Sequence, residues 1–148
     1  MKNKELLFIP HLRQNSRETL TKLSRKTGVP VSTIFDQLKK TDIIAKHTCL
    51  LNFSNLGFNT RANILLKVDR KDRELVKDYL ANNNSINTVY KTNNGFDFMI
   101  EGIFKHIKDL EDFMETLEEN FPIKSKQVFY IIDDIKREEF MADPLFLS

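Results

Sequence analysis

The sequence predicts an α+β protein in which an N-terminal winged helix-turn-helix domain is followed by a ferredoxin-like β-α-β-β-α-β domain. Two amphipathic segments that meet at Gly28 predict the first domain, and alternating strand-like and helix-like patterns predict the second. The charged residues are distributed unevenly between the two halves of the chain that hold these domains. Residues 1–50 carry ten Lys and Arg against four Asp and Glu, and residues 51–148 carry thirteen against seventeen. A basic N-terminal part followed by an acidic C-terminal part is typical of a chain in which only the first domain binds nucleic acid.

The composition excludes several classes of protein. No apolar run is long enough to span a membrane, and the apolar run near the N-terminus is too short for a signal peptide. The single cysteine, Cys49, excludes an internal disulfide and any multi-cysteine metal site. The sequence contains no Gly-rich phosphate loop and no metal-ligand spacing. We therefore predict a cytoplasmic protein with no metal, no cofactor, no catalytic residues and no membrane partner.

The opening segment, residues 4–13, predicts a helix that is kinked or starts late at Pro10, because proline removes a backbone donor. A second helix is predicted to begin after Thr19, whose hydroxyl suits the N-cap position. Gly28 suits a tight turn into a third helix, since glycine accepts a positive φ. These three helices are the predicted frame of the first domain.

The third helix has two distinct faces. Its apolar stripe falls at spacings of three and four residues and consists of Val31, Ile34, Phe35 and Leu38. The remaining positions hold short polar side chains followed by lysines, which suits the major groove of DNA. We therefore predict a recognition helix. An ordinary helical core is the alternative, because hairpins of two amphipathic helices with glycine in the turn are common.

Particular contacts with double-stranded DNA follow from this assignment. The predicted base contacts are Ser32, Thr33 and Gln37. The predicted phosphate contacts are Arg17, Arg25, Lys26, Lys39, Lys40 and Lys46. Lys46 is included because strand-like residues on either side of it, 43–44 and 49–51, predict a hairpin that would serve as the wing. Cys49 is expected to be a small buried residue of this hairpin rather than a reactive thiol.

The predicted domains are 1–53 for the winged helix-turn-helix, 54–60 for a linker and 61–148 for the second domain with a C-terminal tail. Strands are expected at 62–68, 86–92, 96–104 and 128–134, with helices at 70–82 and 106–120. Asn94-Gly95 is a strong signal for the hairpin turn between the second and third strands. Gly102 is expected to mark a bulge or bend in the third strand.

One face of the predicted sheet would remain uncovered by the helices. Its apolar members are Leu65, Val89, Met99, Phe129 and Ile131. An antiparallel sheet can leave one face in water, but this many apolar side chains form a large patch for a monomer. We therefore predict a homodimer that pairs these faces, which would also present two recognition helices to a two-fold operator.

Together these features resemble the Lrp/AsnC (feast/famine) transcription regulators over nearly the whole chain. Residues 17–40, RETLTKLSRKTGVPVSTIFDQLKK, are similar to their winged-helix domain. HTCLLNFSNLGF is similar to their wing and linker, and NNGFDFMIEG is similar to the strand-turn-strand core of their effector-binding domain. No single motif is highly specific, but their order and spacing are.

The resemblance implies a sequence-specific DNA-binding regulator that acts as a dimer, tetramer or octamer. It also implies control by a small effector, commonly an amino acid. The effector residues carried over by position are Asn94, Gly95 and Asp97. Asn94 and Gly95 stand where the family often has glycine and an acidic residue, and Asp97 can equally be a structural or interface carboxylate of its strand.

Two alternative functions follow from the same chain. Siroheme decarboxylases share this architecture, so the fold alone does not exclude catalysis. Their His-Asn-Tyr segment corresponds here to residues 87–91, NTVYK, which contain no histidine, and we therefore predict that the protein is not an enzyme. The other alternative is a sensing or co-regulator protein whose helices only mediate assembly. The positive charge of residues 1–50 argues against it.

Overall fold

The structure of the protein, a computed structural model, describes residues 3–147. The chain forms two compact units. One contains the residues up to Leu50 together with those from Asp134 onward, and the other runs from Leu51 to Asp133. The first division lies just before the predicted boundary at residue 53, but the tail lies with the N-terminal helices instead of with the sheet. The two outer ends of the predicted domains, Met1 and Ser148, lie outside the described residues.

Three helices form the main part of the N-terminal unit: α1 (Asn3–Gln14), α2 (Leu20–Thr27) and α3 (Val31–Lys40). Its core consists of the buried residues Phe8, Leu23, Val29 and Ile34. Each helix contributes one of these side chains, and the turn between α2 and α3 contributes Val29. α1 continues through Pro10, which is fully buried, so the helix neither starts nor ends at this proline.

The predicted wing hairpin is absent from the structure. Residues 41–52, between α3 and a short 3-10 turn at Ser54–Leu56, contain no strand. Cys49 is exposed, so the prediction that it is a buried filler is wrong. The physical reason is that a lone two-stranded hairpin is at best marginally stable and needs a surface on which to bury one face. Leu50 is 55% exposed and has no such surface.

The C-terminal tail packs on α1. Arg13 donates hydrogen bonds from Nε to the carbonyl oxygen of Phe140 at 3.0 Å and from Nη2 to that of Glu138 at 2.7 Å. Gln14 Nε2 donates to the carbonyl oxygen of Ala142 at 2.7 Å, and Ala142 is buried. These contacts are the reason that the tail belongs to the N-terminal unit.

The second unit is a four-stranded antiparallel sheet with two helices. Its elements in chain order are β1 (Thr60–Val68), α4 (Arg73–Ala81), β2 (Ile86–Lys91), β3 (Phe98–Phe104), α5 (Ile107–Asn120) and β4 (Ile123–Tyr130). The strand order across the sheet is β2-β3-β1-β4, and every neighbouring pair is antiparallel. The predicted β-α-β-β-α-β order is therefore present, in the arrangement called ferredoxin-like.

β1 is a central strand whose side chains alternate between two environments. Ala62, Ile64 and Leu66 are fully buried and Val68 is nearly so, whereas the residues between them face the other side of the sheet. The buried helix residues that cover the first side are Val76, Leu80, Leu110, Phe113, Met114 and Leu117. Each such side chain contributes roughly 1.5–3 kcal/mol when fully buried, so this face is fixed toward the helices.

β2 contains a bulge at Asn87, where its pairing with β3 shifts by one residue. Because of the bulge, Ile86 and Val89 both pack against the helix-covered core although their spacing is odd. The prediction that Val89 lies on the uncovered face is therefore wrong. Tyr90, which pairs with Met99, lies on that face and is 55% exposed.

The last strand begins earlier than predicted, at Ile123 rather than at residue 128, and ends at Tyr130. Its first half is polar, Lys124 to Gln127, and lacks the alternation that identifies a strand. A polar sequence is tolerated here because β4 is an edge strand with only β1 as a neighbour. Sequence pattern alone therefore could not place the start of this strand.

Gly102 allows close packing rather than a bulge in its own strand. It pairs regularly with Ala62 on one side, and the shift in pairing lies on β2. A Cβ atom at Gly102 would lie 2.5 Å from the nearest carbon of the Phe104 ring. The missing side chain therefore leaves the space that this ring occupies.

Gly102→Ala should destabilise the sheet unit, because the added methyl group overlaps the Phe104 ring. Overpacking of this kind costs roughly 1–3 kcal/mol in the free energy of unfolding. Urea denaturation of the full-length protein measures this cost. In a Phe104→Leu background, which removes the ring, the cost of Gly102→Ala should shrink. An equal cost in both backgrounds would show that the ring is not the cause.

Candidate functional site

A tight turn joins α2 to α3. Thr19 caps α2 by accepting a hydrogen bond from the N–H of Lys22 at 3.2 Å, as predicted. Gly28 has a φ of 74° and donates its N–H to the carbonyl oxygen of Ser24 at 2.8 Å, which ends α2. Pro30 precedes the first turn of α3, with a φ of −58°. The two helices and the glycine turn expected from the sequence are therefore present.

α3 buries less of its apolar stripe than the sequence predicts. Ile34 is fully buried and Leu38 is half-buried, but Val31 and Phe35 are 41% and 54% exposed. The Phe35 ring centroid lies 5.9 Å from Lys39 Nζ, which is a cation-π contact. The apolar side of α3 therefore extends to the surface beside one of its lysines.

The outward face of α3 is polar and cationic. Its exposed side chains are Ser32, Asp36, Lys39 and Lys40. The predicted base contacts Thr33 and Gln37 are half-buried and lie at the margin of this face. Asp36 lies four residues after Ser32 and four before Lys40, so these three share one side of the helix. Asp36 is not among the predicted contacts, and its exposed carboxylate lies on the same side as Ser32 and Lys40.

The predicted phosphate contacts outside α3 are Arg17, Arg25, Lys26 and Lys46, and all four are exposed. Lys26 is engaged within the unit, because its Nζ lies 2.7 Å from the Glu18 carboxylate. The hydrogen bond from Lys26 lowers the pKa of Glu18. Lys26 would have to leave Glu18 before it could bind a phosphate, so it is the least available of the predicted contacts.

The side of the sheet away from the helices carries exposed and half-buried apolar residues that we call the open sheet face. Its members are Leu65, Tyr90, Met99, Ile103, Phe129 and Ile131. Tyr90, Met99 and Leu65 lie side by side across β2, β3 and β1. Phe129 pairs with Asn63 of β1 and is 52% exposed. Four of the five predicted interface residues therefore share this face, Val89 being the exception.

The turn between β2 and β3 has the backbone that the sequence predicts. Asn94 and Gly95 have φ angles of 64° and 93°, and two positive φ values suit a short hairpin turn. Asp97 follows the turn. Its Oδ2 accepts a hydrogen bond from the N–H of Val68 at 2.8 Å, and its Oδ1 lies 2.8 Å from Arg73 Nε. Asp97 therefore joins β3 to the end of β1 and the start of α4.

A cleft of about 380 Å³ opens beside this turn, and we call it the basic cleft. The basic side chains in its lining are Lys67, Arg70, Arg73, Lys91 and Lys124. The three predicted effector residues also line it, and Asp97 is the only carboxylate among the lining residues. The structure thus brings together residues that the sequence identified with cations that it did not.

The cations of the basic cleft were missed because they come from separate places in the chain. Lys67 and Lys91 are near the ends of β1 and β2, and Lys124 is at the start of β4. Arg70 lies in a 3-10 turn, Arg70–Asp72, that precedes α4, and Arg73 is the first residue of α4. Lys124 Nζ lies 2.8 Å from Asp69 Oδ1, and this hydrogen bond lowers the pKa of Asp69 and raises the pKa of Lys124. In the sequence each of these residues is an ordinary surface cation.

Residues 3–147 contain neither a cluster of metal ligands nor a membrane-spanning helix. No group of three or more His, Cys, Asp and Glu side chains in that range is placed to hold a metal ion. Within the same range, no helix is both long enough and apolar enough to cross a membrane.

Asp97→Ala should destabilise the sheet unit, because it leaves the Val68 N–H and the Arg73 guanidinium without their shared acceptor. The loss of a hydrogen bond to a charged group costs about 1.5–3 kcal/mol in the free energy of unfolding, which urea denaturation measures. Asp112→Ala, at an exposed position of α5, is the matched control and should leave the free energy of unfolding nearly unchanged. Equal stability of the two variants would contradict a structural role for Asp97.

Comparison with known proteins identifies the family. The model of the Lrp/AsnC ligand binding domain matches residues 61–140, more than half of the chain. An uncharacterised HTH-type transcriptional regulator of Pyrococcus horikoshii is 29% identical over 121 residues, which cover 78% of each chain.

Solved structures agree in fold. A transcriptional regulator of Neisseria meningitidis, solved in complex with L-Met, has a TM-score of 0.85 at 17% identity and covers 93% of both chains. LrpC of B. subtilis has a TM-score of 0.81 at 21% identity and covers 92% of this chain and 97% of its own. These likenesses establish the shared fold, and the match to the family model establishes membership. The chain belongs to the Lrp/AsnC family.

Proposed function

We propose that the protein is a sequence-specific DNA-binding transcriptional regulator that acts as a homodimer or larger oligomer and responds to a small effector. The observation that carries the proposal is the outward face of α3, where Ser32, Lys39 and Lys40 are exposed on the second helix of a helix-turn-helix pair. Short polar side chains can read base edges in the major groove, and lysines bind phosphates. Curated relatives are HTH-type transcriptional regulators rather than enzymes, which supports this function.

In this function α1, α2 and α3 form the DNA-binding part of a winged helix-turn-helix domain. Residues 41–52, which lie after α3, take the place of the wing and carry Lys46 toward the phosphate backbone. Arg17 and Arg25 are exposed and add phosphate contacts from the neighbouring segments. The positive charge of residues 1–50 favours this assignment over a unit that only mediates assembly.

The base-reading and phosphate-binding roles predict different mutant behaviour. Lys40→Ala should weaken binding to the protein's own upstream DNA and to a random duplex alike, and should reduce the salt slope by about 0.9 because one phosphate contact is lost. Gln37→Ala should weaken only the specific complex, by roughly 1–3 kcal/mol. Equilibrium binding to both duplexes at two salt concentrations measures both effects.

Lys108→Ala is the control for the loss of a lysine, because Lys108 is exposed on α5 in the other unit. It should leave the affinity and the salt slope unchanged. Failure of the unsubstituted protein to bind either duplex at low salt would overturn the proposed function.

The homodimer in this proposal pairs the open sheet face of two chains. On this face the side chains of Tyr90 and Phe129 are 55% and 52% exposed. Together with the other members of the face they form a large exposed apolar surface for a monomer. Two chains joined in this way would bring two copies of α3 to one DNA duplex and raise affinity without any new type of contact.

Phe129→Lys should convert the dimer to monomers, because dimerisation would bury an unpaired charge on the open sheet face. Sedimentation velocity measures the change, and we expect the dimer dissociation constant to rise at least about tenfold, since burying a charge costs several kcal/mol. Ile107→Lys is the matched control, because Ile107 is 59% exposed on α5 and is not part of the open sheet face. A Phe129→Lys protein that remains dimeric would exclude this face as the interface.

An effector in this proposal occupies the basic cleft, whose lining includes Asn94, Gly95 and Asp97. The Neisseria meningitidis neighbour was solved with L-Met, which supports a small-molecule effector for the family fold. In this chain Asp97 is engaged with Val68 and Arg73, so it would act on an effector mainly by holding Arg73 at the cleft.

A further inference from the structure

The basic cleft contains more positive charge than the surrounding residues neutralise. Two of its five cations have carboxylate partners within 3 Å, because Arg73 pairs with Asp97 and Lys124 pairs with Asp69. Among residues 3–147, no carboxylate lies within ion-pair distance of the other three, Lys67, Arg70 and Lys91. These three cations therefore face the cleft without a counter-charge of their own.

One acid outside the lining interacts with Lys91, but it is already engaged elsewhere. Glu74, in the first turn of α4, lies 2.7 Å from Lys77 Nζ. The hydrogen bond from Lys77 is the largest cause of its lowered pKa, and the attraction of Lys91 is a smaller cause. Glu74 therefore does not supply the missing negative charge. A concave surface with an excess of one sign of charge concentrates ions of the opposite sign.

From this arrangement we propose that the basic cleft binds a small molecule with two or more anionic groups, either carboxylates or phosphates. This deepens the proposed function, on which it rests, by naming the chemical class of the effector. Lysine and arginine form short, charge-assisted hydrogen bonds with both kinds of anion. Lys67, Arg70 and Lys91 come from three different elements, so one ligand carrying two anionic groups can engage more than one of them.

The dimensions of the cleft suit such a ligand. Its volume of about 380 Å³ falls within the range of about 300–1,000 Å³ that small-molecule sites occupy. Thr92, Asn93 and Asn94 add hydroxyl and amide groups to one wall, which can bond to uncharged polar atoms of the ligand. The site thus has several cations for anionic groups and neutral polar groups beside them.

A zwitterionic amino acid matches this lining less well than a polyanion does. An ammonium group is stabilised most by an acceptor that carries negative charge, and the only carboxylate in the lining is that of Asp97. Each oxygen of Asp97 already has one partner, the Val68 N–H at Oδ2 and Arg73 at Oδ1, and the charge of Arg73 offsets that of the carboxylate. An ammonium would also be repelled by the neighbouring cations. The cleft therefore discriminates against ligands with a positive group.

Isothermal titration calorimetry on the full-length protein at low ionic strength tests the proposal with four probes. These are succinate and citrate as carboxylates, glycerol 3-phosphate as a phosphate ester, and L-methionine as a zwitterion. We expect at least one of the anions to bind more tightly than L-methionine, and the carboxylate and phosphate probes distinguish the two sources of negative charge. Lys67→Gln and Arg70→Gln should each weaken that anion about tenfold, because each removes one charged hydrogen bond.

Lys108→Gln, on α5 and outside the cleft, is the matched control and should leave anion affinity unchanged. The proposal is overturned if no anion binds at roughly 10 mM, a concentration that would fill most of even a millimolar site. It is overturned equally if L-methionine binds more tightly than every anion, or if all three variants lose affinity equally. It is also overturned if Lys67→Gln weakens DNA binding as strongly as anion binding, since the cleft would then contact nucleic acid. Operator binding by the unliganded protein is measured separately, so failure of the anion arm leaves the DNA-binding result intact.

Discussion

The strict alternation of β1 is the constraint on which the sheet unit depends. β1 is bonded to β3 on one side and to β4 on the other, and its even-numbered residues from Ala62 to Val68 are buried under the two helices. Because successive side chains point to opposite faces, this burial forces the odd-numbered residues outward. Leu65 is thereby placed on the open sheet face and Lys67 at the basic cleft. Both proposed binding surfaces of this unit are consequences of burying the same strand.

Much of the fold could be predicted from the sequence because its strongest patterns are local. The turn at Gly28, the two helices around it and the Asn94-Gly95 hairpin each depend on neighbouring residues, and all are present. The predictions that were wrong failed for reasons that involve residues distant in the sequence. Val89 faces the core because a bulge in β2 reverses the alternation, and Cys49 is exposed because its predicted hairpin has no partner surface. The residues proposed to read DNA bases all lie on α3 and could be found from the pattern of that helix. The cations of the basic cleft could not, because only folding brings together three strands and the segment of residues 70–73.

The N-terminal unit has a small core, and this explains several of its features. Phe8, Leu23, Val29 and Ile34 are the buried cluster, and small domains bury too little surface to be strongly stable on that basis alone. The tail adds the buried Ala142 and hydrogen bonds to two side chains of α1. The exposure of Phe35 shows the opposite tendency, since α3 keeps an apolar side chain at the surface beside its lysines. α3 is therefore packed against the unit through Ile34, and its side with Ser32, Lys39 and Lys40 stays exposed.

The return of the tail to α1 makes the N-terminal unit discontinuous in sequence. The peptide chain passes between the two units twice, once at Leu50 and Leu51 and again at Asp133 and Asp134, so two covalent connections join them. A chain cut after Asp133 would lose the hydrogen bonds that Arg13 and Gln14 of α1 donate to the tail. The residues from Asp134 onward are thus part of the same folded unit as α3.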